Sequence, residues 1–245
     1  MVVTGAGGGI GLATCQASLA QGVPIIAVDV DDAALEQLHQ LEPQNGIFDI
    51  RRCDVTDDRS VGELAAASQA QGPVRGLVNL AGTAGSAVGP AHELTVEEFS
   101  TIVDINLTGT FRVARAMLPN LRAAAPSAIV NVASVAGLVA FRNQSPYVAS
   151  KHGVVGLTRG LALDYATEGI SVNCVCPGLV DTPMMAHQEE LLAEASPRAR
   201  LERGVPVGRY SEPDEVARVI TWLLLDAPDS MTGSMVTVDG GWTVK

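Results

Sequence analysis

Aromatic residues are scarce in this chain, with four Phe, three Tyr and two Trp among 245 residues. Valine, isoleucine, leucine and alanine must therefore fill its core, and at 47% hydrophobic residues the material is ample. Basic residues are also few: 16 Lys and Arg stand against 27 Asp and Glu, for a formal charge of −11, and they are scattered. Nucleic-acid binding needs a basic face, so no nucleic-acid partner is expected. Long apolar runs are missing too; none reaches the roughly 20 residues that cross a bilayer, so no membrane partner is expected. The N-terminus enters a glycine-rich loop within a few residues, which leaves no room for a signal peptide and makes the cytoplasm the default. Cysteines number four. Cys174 and Cys176 would share one face of a strand, but no further Cys/His cluster accompanies them. Buried, reduced thiols are expected rather than a metal site or disulfide framework. With no linker, repeat or low-complexity segment, residues 1–245 read as one domain.

Glycine, by contrast, is plentiful. Val2 to Thr4 reads as the tail of a strand, followed at once by Gly5-Ala6-Gly7-Gly8-Gly9-Ile10-Gly11 and an apolar run of helical spacing that stops at Gly22. Strand, glycine turn and helix form the context in which such a loop binds phosphate, because glycines admit the pyrophosphate and the helix N-terminus offers unpaired N–H groups. Val23 to Val28 then reads as a buried parallel strand closed by Asp29. A carboxylate there accepts from an adenosine ribose and repels a 2′-phosphate, and Asp31 and Asp32 add to the repulsion. No Lys or Arg lies in the loop or directly after Asp29. NAD is favoured over NADP. The alternative is that Asp29 merely caps the helix beginning near Asp31.

Further strands are expected at 47–53, 74–80, 128–133, 170–176 and 235–238. Thr95-Val96-Glu97-Glu98 is a capping box opening one long helix through Asn106 to about Leu118. Asp29, Asp54, Gly82 and Ser134 all fall at carboxyl ends of strands, where open α/β sheets bind ligands. Ser145-Pro146 supplies an N-cap and first-turn proline, so a helix starts there and carries Tyr147 and Lys151 four residues apart on one face. A lysine beneath a phenol favours the ionised form. Singly, each feature has a plainer reading: Tyr147 and Lys151 as a surface pair, Ser134 as a strand-end cap, Asn106 as a helix residue bonding a turn. Residues 183–205, rich in Met, Glu and Ala, suggest a mobile helical lid over substrate.

With those residues placed, the chain resembles the short-chain dehydrogenase/reductase family along nearly its whole length. Thr4-Gly5-x-x-x-Gly9-x-Gly11 resembles the family's cofactor loop, and Asn79-Leu80-Ala81-Gly82 its NNAG segment, with leucine at the second position. Asn106, Ser134, Tyr147 and Lys151 match the order and spacing of its catalytic tetrad, and Pro177-Gly178 followed by Thr182 resembles the segment that holds the nicotinamide carboxamide. The resemblance implies a single-domain Rossmann fold, a doubly wound seven-stranded parallel sheet flanked by helices, and a homotetramer. It implies cofactor contacts from Gly5, Gly9, Ile10, Gly11, Asp29, Asp54, Val55, Asn79, Ala81, Gly82, Tyr147, Lys151, Pro177, Gly178, Val180 and Thr182. Relatives carry several residues before the first strand, so that strand is expected to be short or the start trimmed.

The expected reaction is hydride transfer between NAD and a secondary alcohol or ketone. Tyr147 would exchange the hydroxyl proton, Ser134 would hydrogen-bond the reacting oxygen, Lys151 would also bind the nicotinamide ribose, and Asn106 would hold a water leading to solvent. Substrate contacts are expected from Ser134, Tyr147, Phe141 and Met184, within walls built from 84–88, 138–143, Leu179 and 184–192. Arg142 is the one obvious cation there, with its direction open, and an uncharged alcohol/ketone pair is expected. His187 is expected to be solvated and His152 to pack or face a neighbouring subunit. Two alternatives stand beside this reading: a 3-oxoacyl-[acyl-carrier-protein] reductase, and a non-catalytic NAD(H) sensor.

Overall fold

The computed structural model of the protein describes residues 1–41, 43, 47–86, 88–192 and 204–244, with 189–192 as backbone only. Seven strands form one parallel sheet in the order β3-β2-β1-β4-β5-β6-β7. They are β1 Val2–Thr4, β2 Ile25–Asp29, β3 Phe48–Arg52, β4 Gly76–Asn79, β5 Ser127–Val132, β6 Ile170–Pro177 and β7 Met235–Val238. The helices between them are α1 Gly9–Ala20, α2 Asp32–Leu38, α3 Asp58–Gln71, α4 Val96–Val103, α5 Gly109–Ala123, α6 Ser145–Tyr165, α7 Pro183–Leu192 and α8 Pro213–Leu225. This is the doubly wound α/β architecture expected from the sequence.

Alternation along the strands separates two core layers. Val2, Ile26, Val28, Leu77, Ile129 and Val172 point to one face and pack against Val61 and Leu64 of α3, Val113 and Met117 of α5, and Leu161 of α6. Val3, Ile25, Ala27, Val78, Val130 and Val175 point to the other and meet Leu19 of α1, Leu38 of α2 and Ile220 of α8. Each such buried aliphatic side chain contributes about 1.5–3 kcal/mol. Aliphatics thus supply the mass that aromatics do not.

The chain order reverses between β1 and β4, so a crevice opens beyond their carboxyl ends. Thr4 ties its floor together: Oγ1 accepts from the amides of Leu80 and Ala81, both at 3.2 Å. Across the crevice, the Val180–Ser211 bridge joins the chain after β6 to the segment entering α8.

The long helix expected from Thr95 onward is interrupted. The capping box at its start forms, with the Thr95 hydroxyl on the Glu98 amide and the Glu98 carboxylate on Thr95. A single π turn, Asp104–Thr108, then separates α4 from α5, which runs on to Ala123. Such a turn accommodates one extra residue, and here neither a proline nor a side-chain cap marks it in the sequence. Ser145 is the first residue of α6 rather than its cap, with Gln144 preceding it. Of the expected lid at 183–205, α7 covers the first ten residues, and 193–203 lie outside the described residues.

Candidate active site

The glycine loop connects β1 to α1. Gly5 takes a left-handed φ of +61°, and a Cβ there would lie 2.7 Å from the Ala81 backbone nitrogen, so only glycine fits. A Cβ on Gly9 would strike Thr182 Cγ2 at 2.8 Å, which places the loop against the Pro177–Thr182 segment. Helix α1 starts at Gly9 with no side chain capping its first amides and no acid in its first turn. That end is therefore suited to an anion.

Asp29 closes β2 beside the loop. Its Oδ2 accepts from the Gly7 amide at 3.1 Å and its Oδ1 from the Val30 and Asp31 amides at 2.8 and 3.2 Å. Capping of α2 belongs to Asp31, which accepts from the Ala33 amide. The parallel register places Arg52 opposite Asp29, a cation one strand over that is invisible to linear inspection. Arg52 reaches Asp32, 3.5 Å away. At the end of β3, Asp54 Oδ1 accepts from the Thr56 hydroxyl and amide at 2.7 and 2.8 Å, and these bonds hold its carboxyl below the usual range. Val55 next to it is buried against Gly109. The Asn79 side chain is buried in the sheet, its Nδ2 donating to Asn131 Oδ1 at 2.9 Å, and its main chain remains available to a cofactor. The loop glycines, uncapped helix end and strand-end carboxylates fit a dinucleotide, which these residues together with Ala81, Gly82, Gly178, Val180 and Thr182 would hold.

Ser134 stands at the end of β5 in extended backbone, its Oγ accepting from the Ala136 amide at 3.1 Å. Tyr147 lies in the first turn of α6. It is half-buried and lines the cleft, and burial pushes its phenol above the ordinary value, partly offset by a hydrogen bond with Ser134. Lys151 Nζ lies 5.7 Å from the centre of that ring and donates to the Val132 carbonyl at 3.1 Å. Burial brings the lysine down to about 8.

Asn106, in the π turn, is 1% exposed. Its Oδ1 accepts from the Thr83 amide at 2.8 Å, and its Nδ2 donates to the Thr83 carbonyl at 2.9 Å and to Ser150 Oγ at 3.0 Å. Ser150 in turn donates to the Tyr147 carbonyl at 2.8 Å. The amide therefore buckles the loop after β4 to the helix carrying Tyr147 and Lys151. Thr83 and Ser150 were missed in the sequence, although Ser150 directly precedes Lys151.

Ser134, Tyr147 and Lys151 line one cavity of about 480 Å³, together with Ile10, Gly82, Pro177, Gly178 and Thr182 from the cofactor side. Its other walls include Ala84, Phe141, Arg142, Asn143, Leu179, Met184 and Met185. Leu138 instead turns into the core against Cys174 and Cys176, while Gly85 and Ser86 line a neighbouring cavity together with His187. Ala87 lies outside the described residues. His152 is exposed, bonded to the Val148 carbonyl. Trp242 was missed altogether; it meets Phe141 edge-on at 5.5 Å. Asp239 builds the turn that presents it, accepting from the Gly241 and Thr243 amides and the Thr243 hydroxyl. Gln188 of α7, within the expected wall 184–192, donates to the Gly85 carbonyl at 2.9 Å and accepts from Gln144 at 3.4 Å. The Cys174 and Cys176 sulfurs lie 4.0 Å apart, buried and reduced. Among the described residues no group of metal-ligating side chains occurs.

A Rossmann sheet bearing a serine, tyrosine and lysine at the crevice defines an α/β oxidoreductase. A family model described as Enoyl-(Acyl carrier protein) reductase matches residues 5–243. Cis-4-hydroxycyclohexanecarboxylate dehydrogenase of Sinomonas cyclohexanicum is 39% identical, over 99% of this chain and 95% of its own. Cyclohexanol dehydrogenase of an Acinetobacter species is 36% identical, over 100% and 94%. The crystal structure of a single-residue variant of actinorhodin polyketide ketoreductase with NADPH superposes with a TM-score of 0.92 at 36% identity, covering 100% of this chain and 97% of that one. The chain belongs to the short-chain dehydrogenase/reductase family.

Proposed function

We propose that the protein is an NAD-dependent dehydrogenase that interconverts a six-membered alicyclic secondary alcohol and its ketone, with Tyr147 as general acid and base. The observation that carries this reading is the single cavity shared by Ser134, Tyr147, Lys151 and the cofactor-side residues Ile10, Pro177, Gly178 and Thr182. The cyclohexanol ring is common to both named relatives, and a mostly apolar wall of Phe141, Leu179, Met184, Met185 and Trp242 suits such a ring.

The bound nicotinamide supplies the acceptor or donor of hydride. The chain's own residues handle the proton and the oxygen. Ser134 Oγ hydrogen-bonds the reacting oxygen, steadying charge that develops there. Tyr147 takes the hydroxyl proton in oxidation and returns it in reduction. Lys151 stabilises the phenolate, and Asn106 positions the helix that carries both.

NAD rather than NADP is supported by Asp29 at the ribose position and by the engagement of Arg52 with Asp32. A cytoplasmic setting and a tetramer follow from the same family reading. The carrier-protein reductase reading is supported by the NADPH-bound neighbour and opposed by the formal charge of −11, which repels an acidic carrier at long range. A sensor without chemistry would have no use for a buried lysine beneath a tyrosine. The test is Tyr147→Phe assayed with cyclohexanol and NAD. Turnover is expected to vanish while NADH binding, followed by its fluorescence, persists. Comparable residual turnover would sink the assignment.

A further inference from the structure

The cavity around Ser134 and Tyr147 is, among the described residues, lined by no aspartate or glutamate, although the chain carries a formal charge of −11. Two cations line it. Lys151 is buried and committed to the Val132 carbonyl and the Tyr147 ring. Arg142 is exposed and, among the described residues, has neither an ion pair nor a hydrogen bond. Acidic residues are not far away: Glu97 and Glu98 line the neighbouring cavity, beyond a wall of Thr83, Ala84, Met184 and Gln188. Among the described residues, the acids nearest this cavity's lining thus stand on the other side of that wall.

The backbone carrying Arg142 is held on both sides. Phe141 before it is packed edge-on against Trp242. Asn143 after it takes a left-handed φ of 60°, a conformation asparagine tolerates better than most residues, and its carbonyl accepts from the Gly89 amide at 2.9 Å. A planar guanidinium on a secured segment, at a cavity that no acid among the described residues lines, matches a carboxylate with two parallel hydrogen bonds. The cavity therefore combines the proton-transfer groups Ser134 and Tyr147, apolar walls, and one exposed guanidinium.

We infer that the substrate is an anionic cyclic hydroxy or keto acid, its carboxylate received by Arg142 while its secondary alcohol or ketone meets Ser134 and Tyr147. This rests on the alcohol–ketone reading above and replaces the uncharged substrate expected from the sequence. The test compares kcat/KM for a hydroxycyclohexanecarboxylate and for its neutral, isosteric carboxamide, in the wild type and in Arg142→Gln and Arg142→Lys. The wild type is expected to prefer the carboxylate by about tenfold, the worth of one charge-assisted pair. Arg142→Gln brings that ratio close to one through KM, and Arg142→Lys restores part of it. The ratio is internal to each variant, so a general loss of activity does not mimic the result. Turnover of both compounds without preference, or a preference that survives Arg142→Gln, overturns this inference and leaves the alcohol–ketone reading standing. Turnover of neither, nor of cyclohexanol, overturns both.

Discussion

Removing the Lys151 ammonium tests the proposal that the site makes a base of the Tyr147 phenol. Tyrosine ordinarily titrates near 10, so service at neutral pH needs a shift of about three units, or about 4 kcal/mol. Burial works against this, pushing Tyr147 further up. A unit charge 5.7 Å from the ring, at an effective dielectric of about 20, contributes about 3 kcal/mol, roughly two units. Lys151→Met should therefore raise the apparent pKa for alcohol oxidation by about two units and lower kcat/KM at pH 7 by about a hundredfold. The sign follows from the charge: a missing cation disfavours the phenolate, so activity returns only at higher pH. Burial also brings Lys151 to about 8, so its help is present below that pH and fades above it. The wild-type and mutant profiles should accordingly converge on the alkaline side. The assay is NADH formation from a cyclic alcohol under saturating NAD, from about pH 6 to about pH 10, bracketing both groups. A uniform loss of rate with an unmoved profile would refute the electrostatic account and leave Lys151 as a cofactor-binding residue only.

Asp29→Ala removes the carboxylate proposed to repel a 2′-phosphate and should narrow the proposed preference for NAD over NADP by at least about tenfold, read as the ratio of kcat/KM for the two dinucleotides. An unchanged ratio would place discrimination elsewhere. Gly5→Ala forces a side chain onto the Ala81 backbone at a left-handed φ. It should cost at least about 2 kcal/mol, measured as a lower denaturant midpoint. An unaltered midpoint would show that the loop yields freely.

Much of the reaction centre was readable because its signals are local. The spacing of Tyr147 and Lys151, the proline at the start of α6, and the glycines between β1 and α1 each depend only on neighbours in sequence. The strand ends followed from runs of Val and Ile, which stay apolar because both faces of a parallel sheet are covered. What escaped depends on parts distant in the chain. Trp242 reaches the cavity because Asp239 folds the chain after β7, and Gln188 reaches Gly85 from 103 residues away. Arg52 comes beside Asp29 through strand register. The π turn at Asn106 carries neither a proline nor a side-chain cap to mark it in the sequence.

The bonding of Asn106 gives an unusual scale of similarity at that position. Both donors and the carbonyl oxygen of its amide are occupied, by Thr83 and Ser150. Aspartate matches asparagine in size and shape but replaces the donating nitrogen with a second acceptor, setting a negative oxygen against the Thr83 carbonyl. By volume it is the mildest exchange; by the direction of its hydrogen bonds it is among the harshest. Closeness of residues in this protein is therefore measured in donors and acceptors where the chain is buckled together, and in volume only where aliphatics fill the core.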